Sequence, residues 1–230
     1  MSVLLAEPEV PSHWLLDANV LFSEWCRTLM HILARGHSAN LHWTNQIEHE
    51  CYRNLVRLGR LHPVDAAEEQ AGLAKHLKAT LHVYADQTYL ADVRAVEEKD
   101  RHVAATALAL RHRFQTPVGL ITWNLRDFPR RPLLKLGIVR YSPDELFTAL
   151  RPNPADALST LQDAALAMQS TLASRCRRHP TSFEQAARPL PGSVTEWIEF
   201  LGRNRQHKSA RLIERGKLEV NPYRLALPAQ

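Results

Sequence analysis

Four short segments of this chain carry acidic side chains at positions from which they can share one ligand. Asp17 closes the apolar run Trp14-Leu15-Leu16, and Glu48 and Glu50 stand in Ile47-Glu48-His49-Glu50. Glu97, Glu98 and Asp100 lead into Arg101-His102-Val103, and Asp127 stands five residues after Thr122 in Thr122-Trp123-Asn124-Leu125-Arg126-Asp127-Phe128. Gathering several ionised carboxylates is costly unless a cation neutralises them or some of them take up protons. Ligands that are all oxygen favour Mg²⁺ or Mn²⁺ over zinc, and Mg²⁺ takes one or two carboxylates while keeping several waters. Such a centre leaves room for phosphate oxygens and an activated water, which is the chemistry of phosphodiester hydrolysis without a histidine base.

The elements that must position these acids can be read from apolar spacing. Residues 13–17 form a buried strand with Asp17 at its carboxyl edge, and a helical pattern follows in Val20, Leu21, Trp25, Leu29, Ile32 and Leu33. A second short strand is expected at 39–43. Thr44 or Asn45 then caps a helix with the face Ile47, Cys51, Leu55 and Leu58, which puts Glu50 in its first two turns. Val64, Ala67, Ala71, Ala74 and Leu77 repeat at helical spacing, while 81–96 fits either a helix or extended chain. From Glu97 a helix is expected with Val103, Ala107, Leu110 and Phe114 on its buried stripe, and Asp100 one turn before Val103 on that side. Residues 118–122 and 138–141 read as strands, the latter followed by Ser142 as N-cap and Pro143 at the first helical position. Strand alternating with helix predicts an α/β fold, a parallel sheet with helices on both faces, whose ligands bind at the carboxyl ends of the strands.

A chain of 230 residues accommodates one core domain of about 150 residues and a smaller appended unit. Arg151-Pro152-Asn153-Pro154 marks the expected boundary, giving a domain over 1–150 and an all-helical, basic subdomain over 151–230. Residues 1–150 hold 17 basic and 17 acidic side chains and residues 151–230 hold 12 and 7, so the basic excess lies in the C-terminal third. There Arg203, Arg205, Lys208 and Arg211, continuing to Arg215 and Lys217, form a stripe that could contact phosphates or simply be a solvated helix face. No apolar run approaches the roughly 18 residues of a membrane span, and the start has no basic segment of the signal-peptide type, so the expected compartment is the cytoplasm. Cys26, Cys51 and Cys176 have no zinc-site spacing and read as reduced, half-buried core residues.

Leu15-Leu16-Asp17-Ala18-Asn19-Val20-Leu21-Phe22, Glu50 in the helix after Thr44, Asp100-Arg101-His102-Val103-Ala104-Ala105-Thr106-Ala107 and Thr122-Trp123-Asn124-Leu125-Arg126-Asp127-Phe128 together resemble a PIN domain, specifically the VapC-type toxin ribonucleases, over roughly residues 12–150. Some longer members of that group carry a helical extension, which residues 151–230 resemble. The resemblance implies a PIN-like fold and an Mg²⁺-dependent endoribonuclease, with Mn²⁺ as a substitute ion. It implies an acidic quartet of Asp17, Glu50, Asp100 and Asp127, with Asn19, Thr122 and Asn124 as supporting groups. Asp17 and Asp100 would contact the metal most directly, and Glu50 and Asp127 would hold water or a second ion. RNA would be the substrate, a VapB-like antitoxin the partner and a homodimer the assembly. One departure is Lys99, which follows Glu97 and Glu98 where the family commonly has an acid-rich turn, and it bears on the binding of a second metal.

Each of these residues has a plainer role. Asp17 could cap the helix after it, and Asp100 could be a first-turn acid favoured by the helix dipole. Asp127 could cap the turn before Pro129, with Asn124 in its place at the site. Glu48 competes with Glu50, which stands three residues beyond the core residue Ile47. His102 could serve as a base or be a surface helix histidine, and Trp123 could pack under the sheet or stack on a base. Two other functions compete: a non-catalytic RNA-binding or scaffolding protein on a PIN-like fold, and a phosphoryl-transfer enzyme with Asp17 as nucleophile, which would need a second aspartate where Asn19 stands.

Overall fold

The computed structural model describes residues 10–22, 24–58, 63, 64, 67 and 87–150. Their centre is a parallel sheet of four strands, β1 (His13–Leu16), β2 (Asn40–His42), β3 (Val118–Ile121) and β4 (Ile138–Tyr141), in the order β2-β1-β3-β4. Apart from His13 at its start, the central pair of strands carries no polar side chain because it is covered on both sides: Trp14, Leu15 and Leu16 and all four residues of β3 are buried. Trp14 pairs in register with Gly119, and a Cβ at Gly119 would lie 3.2 Å from the Trp14 ring. Glycine there lets the large indole lie flat against the neighbouring strand.

Between the strands run α1 (Ala18–Leu21), α2 (Glu24–Gly36), α3 (Asn45–Arg57), α4 (Arg101–Phe114), α5 (Arg130–Lys135) and α6 (Pro143–Ala149). Helix α2 buries Cys26, Leu29, Met30, Leu33 and Ala34, the i, i+3, i+4, i+7 stripe of a helix with one face on the core. Helix α4 buries Val103, Ala104, Ala105, Ala107, Leu108 and Leu110, and its run of small side chains allows a close approach to β3. Thr44 caps α3, its side chain accepting the Ile47 amide at 3.1 Å. Ser142 and Glu145 form a reciprocal capping box at α6, with Pro143 at the first position.

The expected strands agree with those found to within a residue at either end. The expected helix from Glu97 begins later: Glu98–Asp100 is a single 3₁₀ turn and the α-helix starts at Arg101. Asp100 therefore sits at the N-cap position, outside the helix body. Of the stretch 81–96, residues 81–86 lie outside the described residues, and 87–96 are neither a long helix nor a strand: after a short 3₁₀ turn at Gln87–Tyr89 the chain runs in turns, tucking Val93 and Val96 into the core. The four parallel strands and their helices are compatible with a PIN-like fold. The expected helical subdomain, the basic stripe Arg203, Arg205, Lys208 and Arg211, the helical repeat from Ala71 to Leu77 and Cys176 all lie outside the described residues. Among the described residues no helix is long and apolar enough to cross a membrane, and Cys26 and Cys51 are fully buried rather than half-buried, because both lie on the core faces of their helices.

Strand order decides where a site can form. From β1 the chain crosses to β2 on one side and later returns to β3 on the other, so the direction of winding reverses between β1 and β3. In an open parallel sheet this reversal opens a crevice at the carboxyl ends of the two strands. Asp17 follows β1 and Thr122 follows β3 at that place.

Candidate metal centre

Asp17 is 5% exposed and its carboxylate is held from three directions. Oδ1 accepts the Ala18 amide at 2.7 Å, which makes Asp17 the N-cap of α1. Oδ2 accepts the Thr122 hydroxyl at 2.7 Å and the side-chain amide of Asn19. The same Asn19 amide donates to Thr122 Oγ1 at 3.1 Å, and Asn19 Oδ1 accepts the Trp123 backbone amide at 3.0 Å. Thr122 Oγ1 also accepts the Asn124 amide at 2.9 Å. Asn19 and Thr122 thus tie the turn after β1 to the turn after β3. Three of the roughly four lone-pair positions of the Asp17 carboxylate are used for this.

The tightest group of acids lies beside that knot. Single oxygens of Glu97, Asp100 and Asp127 all fall within 4.8 Å of one another, a set that can hold a metal ion. Asp127 accepts the Asn124 side-chain amide and is 3.3 Å from the Lys99 ammonium, which also lies 3.5 Å from Glu97. Burial works against the charge of Asp127, but the bonds donated by Asn124 and Lys99, together with the Lys99 charge, outweigh it and hold the carboxyl below its usual range. Lys99 is raised: burial opposes its charge, and Asp100, Asp127 and Glu97 together favour it more strongly.

Asp100 behaves in the opposite way. Its Oδ2 is buried without a hydrogen-bond partner, and it makes no capping bond to α4. Burial first, then the Asp17 charge, and further the charges of Asp127 and Glu50, push its carboxyl up to about 7, against the opposing pull of Lys99. A carboxyl raised in this way among other acids is one whose charge a nearby cation would favour.

Glu50, in the second turn of α3, contributes to this field and lies 3.9 Å from His102 Nε2. Glu48 is 2% exposed and accepts the Trp43 indole N–H at 3.2 Å. His102 is not a surface histidine, since its side chain is 14% exposed. Its Nδ1 lies 2.9 Å from the Lys99 carbonyl, which can only accept, so Nδ1 carries the proton and the partnerless, buried Nε2 faces Glu50. Trp123 is buried, and its ring belongs to the core.

The crevice thus gathers Asp17, Asp100 and Asp127 with Asn19, Thr122 and Asn124, and sets Glu50 at its edge. Asp17 influences Asp100 by its charge but is not one of the three acids in closest approach. Glu97 takes that place. Its segment showed as acid-rich, but nothing local assigned it to the cluster: it arrives through the pairing of its loop with the Asp127 loop, where the Glu97 amide donates to the Asp127 carbonyl at 3.4 Å. Arg140 of β4 holds the same loop from beneath, donating through Nη1 to the carbonyls of Leu125 at 2.6 Å and Phe128 at 3.0 Å. The class defined here is an α/β protein with a parallel sheet and an acidic, metal-competent crevice at its strand ends. Comparison of the chain with protein-family models, with curated proteins and with solved structures returned no match.

Proposed function

We propose that this protein is a metal-dependent endoribonuclease of the PIN type, the toxin of a toxin–antitoxin pair, using Mg²⁺ with Mn²⁺ as a substitute. The observation that carries the proposal is the convergence of Asp17, Glu50, Glu97, Asp100 and Asp127 around the β1–β3 crevice, with one buried Asp100 oxygen left without a partner. The residues fit such an ion: the donors are all carboxylate oxygens, and they are anchored by Asn19, Thr122 and Asn124.

Asp100 and Asp17 would hold the ion, with Glu50 and Asp127 fixing its waters. When bound, the ion supplies positive charge for the phosphate and lowers the pKa of water. The reaction is hydrolysis: a water oxygen bonds to phosphorus, the bond from phosphorus to the 3′ oxygen breaks, and the products carry a 5′-phosphate and a 3′-hydroxyl. His102 Nε2, beside Glu50, can accept a proton within reach of the crevice edge. A cognate antitoxin of the VapB kind would act by covering this acidic crevice.

The test is cleavage of a mixed RNA substrate with Mg²⁺ and with EDTA by the wild type and by Asp17→Asn and Asp100→Asn. The expected result is metal-dependent cutting that leaves 5′-phosphates and is lost in both variants. RNA binding without cutting under every divalent ion would overturn it in favour of a non-catalytic RNA-binding protein.

A further inference from the structure

We propose that the Lys99 ammonium is a built-in cation occupying the Glu97–Asp127 end of the carboxylate cluster, so that the centre takes one divalent ion, at the Asp100 end, and not two. The inference rests on the metal-centre reading above and specifies the number of ions and the residue that sets it.

Two catalytic ions sit about 4 Å apart and need enough carboxylate charge to offset their repulsion. Here the charge is divided unevenly. Asp127 and Glu97 already share a cation, with Lys99 Nζ at 3.3 Å and 3.5 Å. Asp127 also accepts the Asn124 side-chain amide. Asp100 also feels the Lys99 charge, yet its buried Oδ2 has no hydrogen bond and it lies beside the charges of Asp17, Asp127 and Glu50. The unmet demand for positive charge is therefore at Asp100, while the demand at Glu97 and Asp127 is met from within the chain.

The attachment of Lys99 explains why the arrangement holds. Lys99 belongs to the 3₁₀ turn between Glu97 and Asp100, so its ammonium is offered to the cluster at a high effective concentration by a backbone that also positions two of the acids. The Lys99 carbonyl is fixed by its contact with His102 Nδ1. A second divalent ion must displace this tethered charge or sit beside it, and either lowers its affinity. The Lys99 side chain is largely exposed, so its replacement leaves the core intact.

The experiment titrates Mn²⁺ into the full-length protein, using calorimetry to count ions and electron paramagnetic resonance to detect a spin-coupled pair. The proteins are the wild type, Lys99→Gln and Lys99→Arg. One uncoupled ion is expected in the wild type and in Lys99→Arg. In Lys99→Gln a second, coupled ion should bind about tenfold or more tightly than any second ion in the wild type. Two ions in the wild type, or a single ion in Lys99→Gln, would overturn the assignment while leaving the metal centre standing. Absence of Mn²⁺ binding in all three would refute the metal centre itself, and the role of Lys99 with it.

Discussion

Replacing Asp100 with Asn should make the metal-free protein more stable at alkaline pH. In the folded chain the Asp100 carboxyl is raised from 3.8 to about 7. Between those values the folded state keeps a proton that the unfolded state has lost, so stability falls as pH rises through this window and levels off above it. A difference of about 3 between the two values corresponds to about 4 kcal/mol at 1.36 kcal/mol for each. Asp100 is only partly buried, and solvent screening reduces this to about 2 kcal/mol. Asn keeps the shape and removes the charge, and no hydrogen bond to Oδ2 or helix cap is sacrificed. Urea unfolding in EDTA should therefore show Asp100→Asn more stable than wild type by about 2 kcal/mol at pH 8, with the gap closing toward pH 4. Mg²⁺ should reverse the order. An ion at about 100 times its dissociation constant stabilises the wild type by about 2.7 kcal/mol, and the variant should gain little. A variant less stable than wild type at pH 8 in EDTA, or a gap that does not change with pH, would refute the electrostatic account of the crevice.

Glu50→Gln should weaken Mn²⁺ binding by about tenfold, as loss of an outer carboxylate typically does. Glu48→Gln should leave it unchanged, because Glu48 faces the Trp43 indole; calorimetry on the two variants side by side decides which acid serves the centre. Thr122→Val removes the hydroxyl shared by Asp17, Asn19 and Asn124 and should cost about 1–3 kcal/mol in urea unfolding, with loss of RNA cleavage. Ser142→Ala opens the capping box of α6, far along the chain from the acids, and should cost about 1 kcal/mol of stability with cleavage retained.

What was legible in the sequence divides along the range of the contacts involved. The strands were readable because β1 and β3 are covered on both sides, which forces continuous apolar runs, and because Asp17 ends one such run abruptly. The caps at Thr44 and Ser142 were readable because a cap is a contact over three residues. The start of α4 was placed too early for a related reason: Glu97, Glu98 and Asp100 have the composition of a helical first turn, and only the backbone distinguishes a 3₁₀ turn from it. The joining of Glu97 to Asp127, across 30 residues, has no local signature, since it depends on two loops meeting above β3 and on Arg140 holding one of them from β4. The two readings of His102 stayed open for the same reason: helical spacing alone does not decide between them, and its place beside Glu50 of α3 depends on a contact between distant helices. The crevice therefore has two kinds of acid. Asp17 is positioned by its own strand and by a hydrogen-bonded knot, and Glu97, Asp100 and Asp127 by the pairing of two loops. Loosening those loops should disperse the three-carboxylate group while leaving Asp17 in place, so the charge field at Asp100 is the more sensitive of the two to distant substitution.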